Sequence, residues 1–296
     1  MRAALSTLEV ARPRSLTGAL EMLADSGTSE RLMPLAGGTD IFVYLNAGSL
    51  DAPRYLDLWG LRELRGIRVD RDGGARLGAL TTFREIREHP VVSRRFPSLA
   101  AAAAEVGAWQ IQNRATIAGN IANASPAGDS LPVLLAHDAI VHARALRGER
   151  EIPFERLYRG YRDLVLESDE LITAVTLPAP PARSFAFFRK VGTRRAQSIS
   201  KVVFAGVVAV GANGAVSHAR LAYGSVAPVT LRAREAERAL LGARLSPATT
   251  EAARDALNRD IAPIDDIRSS REYRLAIGAG VLEQFLRAAE MRFSRD

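Results

Sequence analysis

The sequence predicts an α+β protein built as two domains, and three observations carry that expectation. Near the N-terminus a short apolar strand, Leu32-Met33-Pro34-Leu35-Ala36, runs through Gly37-Gly38-Thr39-Asp40 into the helical pattern Ile41-Phe42-Val43-Tyr44-Leu45. A helix precedes it, giving a β-α-β beginning. Pro178-Ala179-Pro180-Pro181-Ala182 then breaks the chain, because prolines so closely spaced cannot sit in a central strand and favour an extended linker. Beyond the break, strand patterns over 184–189, 202–210 and 215–223 precede helical patterns near 230–241, 247–257 and 270–291. That order describes an antiparallel sheet packed on helices. With 296 residues there is material for two cores, which places the domains at 1–177 and 183–296.

The remaining elements follow from local chemistry. Ser15 caps a helix whose apolar face is Leu16, Ala19, Leu20 and Leu23, with Gly27 just past its end. Arg54-Tyr55-Leu56-Asp57-Leu58 alternates like a strand. Ile67-Arg68-Val69 and Ala75-Arg76-Leu77-Gly78-Ala79 flank Asp72-Gly73-Gly74, a hairpin signal. Thr81-Thr82 caps a short helix, and Pro97 opens another over 98–108. Ser130 leads a helix with Pro132 in its first turn. Residues 139–143 and 150–152 read as a second hairpin, and Leu171-Ile172-Thr173-Ala174-Val175-Thr176-Leu177 as a strand.

Composition removes several functions. There is no cysteine, so the chain holds no disulfide, thiolate zinc site or cysteine-ligated iron–sulfur cluster. His89, His137, His142 and His218 fit no common metal-ligand spacing, so no metal site is expected. The net charge of +7 raises nucleic acid as a partner. Yet acidic residues stand beside the basic ones, as in Arg84-Glu85-Ile86-Arg87-Glu88, and no basic stripe is interleaved with aromatics, which points away from nucleic acid. No Gly-x-Gly-x-x-Gly follows a strand, neither lysine follows a glycine as a phosphate loop requires, and Gly-x-Ser-x-Gly is absent. No catalytic side chain is therefore assigned. The first nine residues lack an apolar core, and the longest apolar run, 202–212, is interrupted by Gly206 and Gly211. A cytoplasmic protein without a membrane span is expected.

Two stretches carry the functional signal. In the first, a strand turning on Gly37-Gly38 into a helix aims several backbone N–H groups at one spot, an arrangement suited to phosphate. Taken alone, the pair could equally be a tight turn with Asp40 as helix cap. The second is Ala115-Thr116-Ile117-Ala118-Gly119-Asn120-Ile121-Ala122-Asn123-Ala124-Ser125-Pro126-Ala127-Gly128-Asp129. Its glycines permit positive φ, and Thr116, Asn120, Asn123 and Ser125 offer short donors and acceptors. Such a segment lines a ligand, or caps its own backbone.

In order and spacing, the two stretches resemble the FAD-binding (medium) subunit of molybdenum hydroxylases, the family of carbon monoxide dehydrogenase and bacterial xanthine dehydrogenase medium chains. One departure is Ala118-Gly119, where the family often has Gly-Gly. The resemblance implies a two-part FAD-binding domain of the vanillyl-alcohol-oxidase-like (PCMH) type, split near 55–60, followed by a smaller α+β domain. It implies flavin contacts from Pro34, Leu35, Ala36, Gly37, Gly38, Thr39, Asp40 and Ile41, from Val106, and from Thr116, Ile117, Ala118, Gly119 and Asn120. Asp129, as acceptor for a sugar or ribityl hydroxyl, Leu171, Ile172 and Lys190 complete the set. Asp129 also reads as an N-cap for the helix after Ser130, and Asp40 as an organiser of its loop, since a carboxylate repels a diphosphate.

Lys190 has a second, compositional argument. Among 40 basic residues only Lys190 and Lys201 are lysines, and they lie eleven positions apart. A chain that writes its positive charge as arginine almost everywhere places a compact ammonium here. In the family a lysine opening a Lys-x-x-x-Arg-Arg pattern reaches the flavin ring, and Lys190 with Arg194-Arg195 matches it.

The resemblance further implies a small [2Fe-2S] subunit and a large molybdopterin subunit as partners, in a dimer of heterotrimers. Electrons would pass to FAD and on to NAD or a quinone. Two other functions remain open at this point: a self-sufficient FAD oxidase, for which the last domain is small, and an assembly subunit that has lost its flavin.

Overall fold

In the computed structural model, residues 8–25, 32–50, 54–194 and 197–294 are described. The N-terminal stretch 1–7, Gly27 and Arg195 lie outside them.

Strand β1 (Glu9–Ala11), helix α1 (Leu16–Asp25), strand β2 (Met33–Leu35), helix α2 (Ile41–Ala47) and strand β3 (Arg54–Asp57) form the opening unit. Its sheet has the order β1-β3-β2, all parallel. Parallel pairing needs crossovers, and α1 and α2 supply them. Ser15 accepts from the Gly18 N–H at 3.1 Å, and Leu16, Ala19, Leu20 and Leu23 form the buried face of α1.

A second unit follows: β4 (Ile67–Val69), β5 (Ala75–Gly78), α3 (Phe83–Glu88), α4 (Pro90–Arg95), α5 (Pro97–Glu105), α6 (Trp109–Gln112), α7 (Ile117–Asn123), α8 (Leu131–Ala136), β6 (Ile140–Ala145), β7 (Gly148–Pro153), β8 (Tyr158–Gly160), β9 (Asp163–Leu164) and β10 (Leu171–Leu177). Its five-stranded sheet, β4-β5-β10-β6-β7, is antiparallel. Thr82 caps α3 through a reciprocal box with Glu85. Helix α5 stops at Glu105, three residues before the sequence expectation, because Val106 turns extended and Gly107 takes φ 57.

The last unit holds β11 (Ser184–Val191), β12 (Val202–Val210), β13 (Val216–Gly224), β14 (Leu231–Arg232), α9 (Arg234–Leu240), α10 (Pro247–Asp260) and α11 (Arg271–Phe293). The sheet order is β11-β12-β13-β14. Residues 231–232, expected to begin a helix, pair with Tyr223 and Ala222 as an edge strand instead. Every residue of β12 is buried. Ala205 and Val207 join the core of the first two units, whereas Val202, Phe204 and Val208 join the core beneath α10 and α11. A strand covered on both faces reads as a continuous apolar run, which is what 202–210 is.

The second core is aromatic. Phe204, Tyr223 and Phe285 lie with centroids 4.9 and 5.5 Å apart, flanked by Phe185 and Phe187. Each such contact contributes about 0.5–1.5 kcal/mol beyond burial. Gly206 makes room for it, since a β-carbon there would stand 2.8 Å from both Phe204 and Phe285.

Candidate cofactor site

The bend between β2 and α2 is shaped by two glycines with different duties. Gly38 has φ 77, a conformation that disfavours any side chain. Gly37 is needed for proximity: a β-carbon on it would lie 1.9 Å from the Arg114 carbonyl oxygen. The first bend therefore touches the chain immediately before the second. The Arg114 guanidinium stacks on Trp59 at 3.6 Å and helps hold that contact.

The N–H groups of Gly37, Gly38, Thr39, Asp40 and Ile41 have no acceptor among the described residues. The Asp40 and Ile41 amides are start-of-helix donors that α2 itself leaves open, and with those of Gly37, Gly38 and Thr39 they form a run of five donors suited to an external acceptor. Asp40 stands at the N-cap of α2 but its side chain makes no cap bond, contrary to the simple expectation. Desolvation raises its carboxyl above the usual range, against the pull of Arg162.

The second bend is different. Ile117 donates to the Thr81 carbonyl at 3.0 Å, Ala118 to Ala79 at 3.2 Å, Gly119 to the Thr116 hydroxyl at 3.1 Å, and Asn120 to the Thr116 carbonyl at 3.0 Å. These four amides are spent on anchoring α7, the self-capping role that the sequence left open for this segment beside ligand lining. Neither Gly119 nor Gly128 uses a positive φ; Ala124, at the end of α7, does, with φ 51. What the bend offers is small surface and the Asn120 side chain, whose Oδ1 accepts from Ser130 at 2.7 Å and whose amide nitrogen is open. The Ala118 methyl sits in the core, 8% exposed, so the departure from Gly-Gly places no methyl in solvent.

The helices that leave the two bends are tied from the middle of α2 to the end of α7. Tyr44 of α2 donates to Asn123 Oδ1 of α7 at 2.9 Å, and Arg162, between β8 and β9, donates to the Tyr44 oxygen at 3.0 Å. Through Ala79, which accepts from Ala118 and donates to the Thr173 carbonyl at 2.9 Å, the second bend also reaches β10. A register shift between Ile172 and Ala174 falls at that point, as bulges do where a strand is re-aimed.

Lys190, on β11, closes the other end. Its ammonium lies 2.6 Å from Asp129 Oδ2 and 3.1 Å from the Glu105 carbonyl at the C-terminus of α5. Ser200 donates to Asp129 Oδ1 at 2.6 Å. Asp129 is thus not the N-cap of α8; that place belongs to Ser130, without a side-chain bond. Burial raises the Asp129 carboxyl, opposed by Lys190 and Ser200. Both partners keep capacity, because an ammonium has three donors and a carboxylate about four acceptor sites.

The expected contacts accordingly form one connected series. The first bend meets Arg114 and Ala115; the second meets β10 through Ala79 and Asp129 through Ser130; Asp129 meets Lys190, which meets Glu105 beside Val106. Pro34 and Leu35 are set by pairing with Leu56 and Asp57 of β3. Leu171 and Ile172 are buried in the core. Ser200, Arg114, Tyr44 and Arg162 escaped the sequence reading, since each acts on a partner more than sixty positions away. Among the described residues no cluster of His and acidic side chains could hold a metal. No described helix is long and apolar enough to cross a membrane.

An open-amide bend against a small-residue turn, on a parallel unit joined to an antiparallel one, suits a protein that binds a phosphate-bearing cofactor. Residues 6–180 match the FAD binding domain in molybdopterin dehydrogenase, and residues 187–289 match the CO dehydrogenase flavoprotein C-terminal domain. The chain belongs to the FAD-binding subunits of the molybdenum hydroxylase family, which are parts of oxidoreductases. It is 35% identical over 266 residues to the putative xanthine dehydrogenase FAD-binding subunit of Escherichia coli, covering 89% of each chain. It is 32% identical to the nicotinate dehydrogenase FAD-subunit of Eubacterium barkeri, over 84% of this chain and 85% of that one. Among solved structures, carbon monoxide dehydrogenase from Hydrogenophaga pseudoflava superposes with a TM-score of 0.91 at 29% identity, covering 96% of this chain and 98% of that one.

Proposed function

We propose that this chain is the electron-transfer flavoprotein of a molybdenum hydroxylase complex, with a small [2Fe-2S] subunit as electron donor and a large molybdopterin subunit as the site of substrate oxidation. The external acceptor is NAD or a quinone, the assembly a dimer of heterotrimers, and the compartment the cytoplasm. Residues 1–177 form the FAD domain and 183–296 the C-terminal domain. Bound FAD supplies the redox chemistry that the side chains of this chain lack.

The chain's own part is to bind and orient. The open N–H groups of Gly37, Gly38, Thr39, Asp40 and Ile41 donate to the diphosphate oxygens, with Pro34, Leu35 and Ala36 setting the approach. The Thr116, Ile117, Ala118, Gly119 and Asn120 turn supplies a close wall and one side-chain amide. Asp129 accepts from a hydroxyl, Lys190 uses its third donor toward the ring, and Val106, Leu171 and Ile172 bound the pocket. The single observation that carries this is the run of five unpartnered amides seated against Arg114 and Ala115.

A titration of the full chain with FAD, read by tryptophan fluorescence, tests it. One FAD per chain is expected. Riboflavin, which lacks the diphosphate, should bind at least roughly 100-fold more weakly if two charge-assisted hydrogen bonds of about 1.5–3 kcal/mol each are lost. A chain that takes up no FAD, alone or with its partner subunits, would contradict the proposal.

A further inference from the structure

Ser200 is 1% exposed, and its hydroxyl is aimed across the molecule at Asp129, 71 positions away, and not at a local backbone group. Its place is fixed by the fold. The Lys201 N–H donates to the Val191 carbonyl at 2.8 Å, which brings the start of β12 beside the end of β11 and sets Ser200 near Lys190. Asp129 is gripped from two sides, Ser200 on Oδ1 and Lys190 on Oδ2, and Lys190 is gripped in turn by the Glu105 carbonyl. The two carboxylate oxygens are thus held by different partners, which favours a one-oxygen contact with the ammonium. The side chain of Lys190 is 3% exposed, so its charge is spread by these partners and little by water.

We infer that Ser200 is a positioning residue: by fixing and partly neutralising Asp129, it aims the Lys190 ammonium and sets the charge that a bound flavin meets. The inference rests on FAD occupying the proposed site. Without the hydroxyl, Asp129 carries more unshielded negative charge and engages the ammonium with both oxygens. Electrons then become harder to place nearby.

The test compares wild type, Ser200→Ala and Ser200→Thr in the full chain loaded with FAD, reading the affinity for oxidised FAD and the flavin midpoint potential. Ser200→Ala is expected to weaken the preference for reduced over oxidised FAD roughly tenfold, a fall of about 30 mV for a two-electron couple. Ser200→Thr, which keeps the hydroxyl, should return the wild-type potential. In a background where the ion pair is replaced by neutral groups, Asp129→Asn with Lys190→Met, the Ser200→Ala change should no longer move the potential. A merely structural serine would lower the melting temperature and leave the potential alone. If wild type binds FAD and Ser200→Ala has the wild-type potential, or if the shift persists in the neutral background, the inference is overturned. Failure of wild type to bind FAD would instead remove the functional proposal beneath it.

Discussion

The Arg114 carbonyl oxygen stands 1.9 Å from the position a β-carbon on Gly37 would occupy, so the two bends meet backbone to backbone. Neither side of that contact is a flexible side chain that could swing away. Gly37→Ala must therefore push the bends apart, at an overpacking cost of about 1–3 kcal/mol. FAD affinity should fall with stability, and chemical denaturation together with an FAD titration measures both. An unchanged affinity would mean that the contact does not shape the site.

The ties made by Tyr44 between α2, α7 and Arg162 give a milder prediction. Tyr44→Phe removes the bond to Asn123 and the bond from Arg162. Each such bond contributes about 0.5–1.5 kcal/mol. A lower urea midpoint and a loss of FAD affinity of a few fold are expected, with overall secondary structure retained.

The buried pair behaves asymmetrically. Lys190→Met leaves the Asp129 carboxylate enclosed without its cation, which costs about 3–5 kcal/mol, whereas replacing both partners by neutral groups of similar shape is near neutral. Urea unfolding of Lys190→Met, and of the same change combined with Asp129→Asn, should show a large loss in the first and recovery in the second.

Acid sensitivity should trace to His137. Burial holds its imidazole down at about 4, with Ser98 Oγ 2.9 Å from Nε2 and the Phe96 ring edge-on at 5.4 Å. The unfolded imidazole titrates near 6.5, so between those values the unfolded chain binds more protons and stability falls as pH falls. At about pH 5 the loss from this group is roughly 2 kcal/mol relative to neutral pH. His137→Gln should flatten that part of the curve, measured as urea midpoints at neutral pH and at about pH 5. Burial lowers His142 and His218 as well, so some acid loss persists in the variant.

Much of the fold was legible because local chemistry decided it. Asp72-Gly73-Gly74 makes a turn, Thr82 with Glu85 makes a cap, and the prolines at 178–181 end a strand, whatever surrounds them. Strand β14 was not legible, because Leu231 and Arg232 are extended only through pairing with Tyr223 and Ala222. The site divides along the same line. Gly37-Gly38 and the small residues around Gly119 announced the bends, but which amides stay open depends in part on Thr81 and Ala79, distant residues that take the Ile117 and Ala118 donors of the second bend. For the same reason Asp129 looked like a helix cap until Lys190 and Ser200 stood beside it.

The central claim is that the open amides of the first bend hold the diphosphate of FAD. A crystal structure of the full chain loaded with FAD tests it most directly. The account predicts diphosphate oxygens within about 2.7–3.2 Å of the nitrogens among Gly37 to Ile41, with Lys190 still paired to Asp129. FAD bound with its diphosphate away from those nitrogens would contradict it.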